Sequence, residues 1–226
     1  MQAAPLMKNR MFKQAVVLLS GGLDSATVLY FAKSKGYKCY CLIFDYGQRH
    51  RQEVACAVKI AKASGCVYKI LKISFPWKGS ALLDQKIKVP KKITSGVPVT
   101  YVPARNIIFL SFALSLAEVI KASAIFIGAH AQDYSGYPDC RAEFFRAFVK
   151  MSKVGIASQH RIQILTPLLN DSKSQIINLG RKLGVPFNLT WSCYRAGIRP
   201  CGKCDSCYYR AKGFKEAGLI DPVVNK

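Results

Sequence analysis

Two short stretches concentrate residues that could do chemistry. The first is Ser20-Gly21-Gly22-Leu23-Asp24-Ser25. An apolar, β-branched run from Ala15 to Leu19 leads into it, and Ala26-Thr27-Val28-Leu29 to Ala32 leads out as a helix. A buried strand, a Gly-Gly turn and a helix N-terminus make a phosphate cradle. The glycines allow close backbone approach and positive φ. The unpaired first-turn amides and the helix dipole attract an anion. Ser20 and Ser25 add hydroxyl donors. Asp24 repels phosphate unless a cation intervenes, so it is either a helix cap or a Mg²⁺ ligand. A nucleoside triphosphate with magnesium accounts for both the donors and the acid. The competing reading is an ordinary strand–turn–helix connection with a capping Asp. The stretch lacks Gly-x-x-x-x-Gly-Lys-Ser/Thr, so it is not of the Walker type.

The second stretch holds Cys193, Cys201, Cys204 and Cys207. Two Cys-x-x-Cys steps overlap at Cys204. In a chain read as cytosolic, disulfides are disfavoured and a metal is the better occupant. Four thiolates with no spare position suit one tetrahedral, structural Zn²⁺, stapling a segment too small for its own core. An iron–sulfur cluster uses similar spacings, and a redox Cys-x-x-Cys is the third reading. Cys39, Cys41, Cys56, Cys66 and Cys140 read as single thiols, mostly in the core.

These stretches need a scaffold. Lys38 to Asp45 reads as a buried strand, Arg51 to Ala63 as a helix and Val67 to Ile73 as a third strand. Ser74 to Val102 has no clear period, so it is a lid, a partner contact or a plain insertion. A helix from Tyr101-Val102-Pro103-Ala104-Arg105-Asn106 to about Val119 is hydrophobic on most faces, which predicts burial on two sides. Ala124 to Gly128 is a fourth strand, Arg141 to Met151 a helix, and Arg161 to Leu165 a fifth strand. Asp171 or Ser172 caps a helix running to Leu183, and a further helix opens near Cys204. Strands alternating with helices predict an α/β fold, a doubly wound parallel sheet of Rossmann-like type. Ligands bind such sheets at the carboxyl ends of the strands. We divide the chain into a tail (1–13), a nucleotide-binding domain (14–187) and a C-terminal zinc-binding segment (188–226).

Half of the 226 residues are hydrophobic, enough for a sizeable core. The formal net charge is +22, from 34 basic and 12 acidic residues, which favours anionic partners. The lysines are scattered, so solubility explains the charge as well as RNA does. No stretch reaches the ~18–20 apolar residues of a membrane span. The first thirteen residues lack an apolar signal core, which predicts a cytoplasmic protein.

Ser20-Gly21-Gly22-Leu23-Asp24-Ser25 resembles the Ser-Gly-Gly-x-Asp-Ser signature of PP-loop ATP pyrophosphatases, an adenine nucleotide alpha hydrolase-like fold. Phe44-Asp45-Tyr46-Gly47-Gln48-Arg49-His50, Val102 to Asn106, Asp133-Tyr134-Ser135-Gly136-Tyr137-Pro138-Asp139-Cys140-Arg141 and the four cysteines together resemble the 7-cyano-7-deazaguanine synthase family over about residues 14 to 217. Ala104 stands where some relatives carry Gly. The resemblance implies an ATP-dependent ligase that converts 7-carboxy-7-deazaguanine and ammonia to the nitrile in queuosine biosynthesis. AMP transfer makes the carboxylate an electrophile, ammonia displaces AMP, and a second adenylation removes the amide oxygen. The resemblance implies ATP contacts from Leu19, Ser20, Gly21, Gly22, Leu23, Asp24, Ser25, Ala26, Thr27, Val28 and Leu29. Arg105 would pair with phosphate or the substrate carboxylate. Lys173 would offset phosphate charge, against the plainer reading of a solvated first-turn lysine. Asp45, Gln48, Arg49, Asp133, Tyr137 and Asp139 would bind the heterocycle, with Asp139 alternatively capping the Arg141 helix. Mg²⁺ would come with ATP. Free ammonia is expected, because no glutaminase signature is visible. No obligatory nucleic acid or membrane is implied, and room is left for a homodimer. The competing functions are a tRNA-modifying PP-loop enzyme and a non-catalytic, zinc-stapled nucleotide-binding module.

Overall fold

The computed structural model describes residues 13–49, 51–90, 96–130, 137–157, 161–195 and 197–224. The expected tail lies outside these residues, except Lys13. Five parallel strands form one sheet: β1 (Gln14–Leu18), β2 (Lys38–Asp45), β3 (Val67–Lys72), β4 (Ala124–Phe126) and β5 (Gln163–Leu165). Their order is β3-β2-β1-β4-β5. In register, Val16 pairs with Tyr40 on one side and with Ile125 on the other. The chain winds one way from β1 to β2 and the other way to β4. A crevice therefore opens beyond the carboxyl ends of β1 and β4, at the switch point.

Alternation along β1 assigns the two faces. Ala15 and Val17 pack with Val28, Leu29 and Ile60, from α1 (Leu23–Ser34) and α2 (Arg51–Ala63), and with Ile176 and Ile177 of α5 (Lys173–Lys182). Phe214 of α6 (Asp205–Glu216) completes that layer. Val16 and Leu18 pack with Leu110 and Ala113 of α3 (Arg105–Val119) and with Phe145 and Phe148 of α4 (Ala142–Gly155). The sheet is thus doubly wound, as the sequence predicts. Ser172, not Asp171, caps α5: its hydroxyl accepts from Gln175 N–H, and the Gln175 side chain accepts from Ser172 N–H.

One expectation fails. The α3 helix is buried on one side only. Leu110, Ala113, Leu114 and Ala117 face the sheet, whereas Ile107, Phe112 and Val119 are 43%, 40% and 77% exposed. A helix in an outer layer has one neighbour, and none of the described elements covers its far side. The 74–102 segment carries no helix or strand among its described residues, yet it is anchored. Arg49 donates from Nη2 to the carbonyls of Asp84 and Ile87, and Arg195 donates to the Val89 carbonyl.

Candidate active site

The phosphate loop leaves β1 at the crevice. Gly21 has φ +85°. A Cβ there would stand 2.2 Å from the Glu53 carbonyl oxygen and 2.7 Å from the Ala57 nitrogen. Only glycine meets both demands. Gly22 caps α1, so Asp24 lies inside the first turn and is not the cap. The Ser25 hydroxyl accepts from Ser20 N–H, donates to the Gly22 carbonyl, and lies 3.0 Å from the Ser20 hydroxyl. Gly128, just past β4, fits so closely that a Cβ would lie 3.0 Å from Ser25 N. The ends of β1 and β4 and the start of α1 are therefore locked together.

Lys173, the first residue of α5, crosses the crevice. Its Nζ is 2.9 Å from Asp24 Oδ1 and 3.0 Å from Oδ2. Its side chain is only 15% exposed, which removes the solvated-lysine reading. The stem runs over Gly213 of α6, where a Cβ would fall 2.4 Å from Lys173 Cγ. The C-terminal segment also reaches the loop directly, because Trp191 N–H donates to the Gly21 carbonyl. Behind it, Arg210 and Asp221 form a buried two-pronged ion pair, and Arg210 also donates to Thr190 Oγ1 and Ser192 Oγ.

These groups surround a cavity of about 310 Å³. Leu19, Ser20, Gly22, Leu23, Asp24 and Ser25 line it. Ala26, Thr27, Val28 and Leu29 do not: they are fully buried in α1, Ala26, Val28 and Leu29 within the core and Thr27 with its hydroxyl on the Leu23 carbonyl. Phe44 and Phe109 stack at 3.8 Å and form an apolar wall. Arg105 lines the cavity and donates to Tyr46 Oη at 3.4 Å. Tyr137 lines it too, its hydroxyl 2.8 Å from Thr100 Oγ1. Asn106 holds the Cys140 thiol, and burial pushes that thiol up to about 11.

Several residues expected to bind the heterocycle are engaged elsewhere. Asp139 is buried and accepts from Asn106 N–H, so it serves the start of α3, not the Arg141 helix and not the cavity. Gln48 borders the cavity, but its amide closes on Tyr46 N–H and the Phe44 carbonyl. Arg49 is spent on the 74–102 segment, and Asp45 does not line the cavity. Asp133 lies outside the described residues. Sequence reasoning missed Glu53, in the first turn of α2. It lines the cavity, and burial pushes its carboxyl up to about 7 against the lowering influence of Arg105. Its signal was its position just after a polar cluster at a strand end.

Cys193, Cys201, Cys204 and Cys207 bring their sulfurs within 4.8 Å of one another. A tetrahedral zinc thiolate, with Zn–S of about 2.3 Å, needs sulfurs about 3.8 Å apart; Cys201 and Cys207 are at 4.0 Å. Backbone N–H groups of Arg195 and Cys201 point at Cys193 Sγ, and those of Lys203 and Cys204 at Cys201 Sγ. Such donors stabilise thiolates. The donor set can hold a metal ion and fits zinc. Cys204 caps α6, so the cluster sits at the head of the helix that backs Lys173.

A glycine loop at the switch point of a parallel sheet, with a lysine and a carboxylate facing across it, defines an ATP-utilising α/β enzyme of PP-loop type. Residues 14–218 match the family model described as queuosine biosynthesis protein QueC. The chain is 54% identical over 219 residues to the 7-cyano-7-deazaguanine synthase of Pseudomonas putida, covering 93% of this chain and 97% of the relative. It is 53% identical to the enzyme of that name from Cellvibrio japonicus, with the same coverage. A predicted tRNA methyltransferase subunit from Methanocaldococcus jannaschii shares the fold, with a TM-score of 0.51, 16% identity, and coverage of 92% of this chain and 90% of that one. The chain belongs to the queuosine biosynthesis protein QueC family. No helix among the described residues is long and apolar enough to cross a membrane.

Proposed function

We propose that the chain transfers AMP from ATP to the carboxylate of 7-carboxy-7-deazaguanine, lets ammonia displace the AMP, and adenylates the resulting amide once more to release the nitrile. A carboxylate is a poor electrophile because hydroxide leaves badly, and the phosphoanhydride removes that obstacle. One observation carries the reading. Lys173 and Asp24 face each other beside the amides and hydroxyls of residues 20–25, so cation, acid and anion donors meet at one point.

In this reading Ser20, Gly22 and Ser25 hold the leaving pyrophosphate, and Lys173 offsets the charge that develops on it. Both Asp24 oxygens keep a lone pair beyond the Lys173 contact, which fits the Mg²⁺ that accompanies ATP. Arg105 takes the α-phosphate or the substrate carboxylate, and the Phe44–Phe109 wall and Tyr137 take the heterocycle. Zinc at the four cysteines is structural. Residues 14–187 form the nucleotide unit, 188–226 close it, and the exposed α3 face is where a homodimer would pack. The work is done in the cytoplasm with free ammonia.

Mass spectrometry after incubation with ATP, ammonium and the acid tests the reaction: nitrile, AMP and pyrophosphate are expected, whereas ADP and orthophosphate alone would refute it. Asp24→Ala should abolish nitrile formation while metal content stays constant; unaltered turnover would rule out the acid's role.

A further inference from the structure

Among the described residues the cavity is lined by two acids, Asp24 and Glu53. Asp24 has both oxygens on Lys173. No hydrogen bond or ion pair to a described residue engages the Glu53 carboxylate. Its side chain lines the cavity, and its backbone carbonyl is the atom against which Gly21 is pressed. The first turn of α2 and the phosphate loop are therefore one contact. Arg105 and Tyr46, which Glu53 influences electrostatically, also line the cavity, and Cys56 of α2 is the other titratable group it influences. Building on the ligase reading above, we infer that Glu53 is the catalytic proton acceptor for the nitrogen nucleophile.

The chemistry requires one. At neutral pH the nitrogen source is almost wholly ammonium, which has no lone pair. Glu53 takes one proton from ammonium, and the freed nitrogen lone pair forms the C–N bond at the acyl carbon. The C–O bond to AMP breaks, its electron pair leaves with AMP, and the new nitrogen sheds a second proton to solvent. In the second round the adenylated amide loses its N–H proton as C–O breaks and the carbon–nitrogen triple bond forms. A base is again needed on the same side. A carboxyl that burial holds near 7 is matched to this duty.

The experiment separates the two half-reactions in Glu53→Gln. Acid-dependent exchange of labelled pyrophosphate into ATP reads adenylation alone and reports that the variant is folded. Amide formation from ammonium reads nucleophile activation. Exchange should be retained, while the ammonium reaction falls ~10²–10⁴-fold, the usual worth of a positioned base. Hydroxylamine is largely unprotonated at neutral pH and needs no base, so it should trap the acyl-adenylate at a rate within about threefold of the parent. The parent's ammonium rate should level off above about pH 7, whereas the variant should keep climbing with free ammonia; Glu53→Asp should recover part of the loss. Equal loss of exchange and amide formation, or undiminished ammonium turnover, would overturn the assignment. Absence of exchange in the parent would sink the ligase reading instead.

Discussion

The phosphate loop and the cysteine cluster are built alike and held differently. Each is a glycine turn running into a helix N-terminus, Gly21 into α1 and Gly202 into α6. Each turns backbone N–H groups onto side chains, hydroxyls in the first and sulfurs in the second. Gly21 is walled in by the backbone of α2, whereas nothing lies within 4 Å of a Cβ at Gly202. The first turn is shaped by the sheet and its helices. The second is open at Gly202, and its cysteines pack with a small cluster of Cys56, Ala81, Val89 and Trp191 outside the two main cores. A site that must accept and release a nucleotide belongs on the rigid frame. A site built to hold an ion permanently would let the ion be the frame.

Gly21→Ala strikes the preformed turn and should have the largest effect. The new methyl meets two backbone atoms that cannot swing aside and also demands positive φ. Loss of stability beyond ~3 kcal/mol is expected, with ATP-dependent turnover undetectable; a soluble, active variant would show that the loop is not fixed by α2. Cys204→Ser removes one of the four clustered thiols and the cap of α6 together. The melting temperature should fall by on the order of 10 °C, and a chelator should do the same to the parent protein. A metal-free variant of unchanged stability and activity would break the comparison from the other side. Gly202→Ala should be mild, at about 1 kcal/mol of left-handed strain and ~2–4 °C in melting temperature, with metal content unchanged. A collapse as deep as that of Gly21→Ala would mean the second turn is as confined as the first.

The elements that periodicity describes were readable. Lys38 to Asp45 and Arg51 to Ala63 agree with the structure at both ends, and the loop between Leu19 and Leu23 lies where a strand feeds a helix. What failed depends on chain segments far apart in sequence. Asp139 answers to Asn106, thirty-three residues away, and Arg49 to Asp84 and Ile87. A polar side chain near a strand end looks the same in sequence whether it faces the ligand or secures a loop. The α3 error has a related origin. An apolar helix declares that it avoids water, but the number of neighbours it has is decided by the layer it occupies. The helix α4 ran on to Gly155 past the expected Met151, because nothing in its sequence stops it.

The bond from Trp191 to the Gly21 carbonyl, the clasp of Lys173 on Asp24, and Gly213 beneath that lysine set an order of events during synthesis. The phosphate loop is completed only by residues made 149 or more positions later in the chain. Until α6 has emerged and docked, the nascent protein has its nucleotide loop but not the wall that backs its lysine.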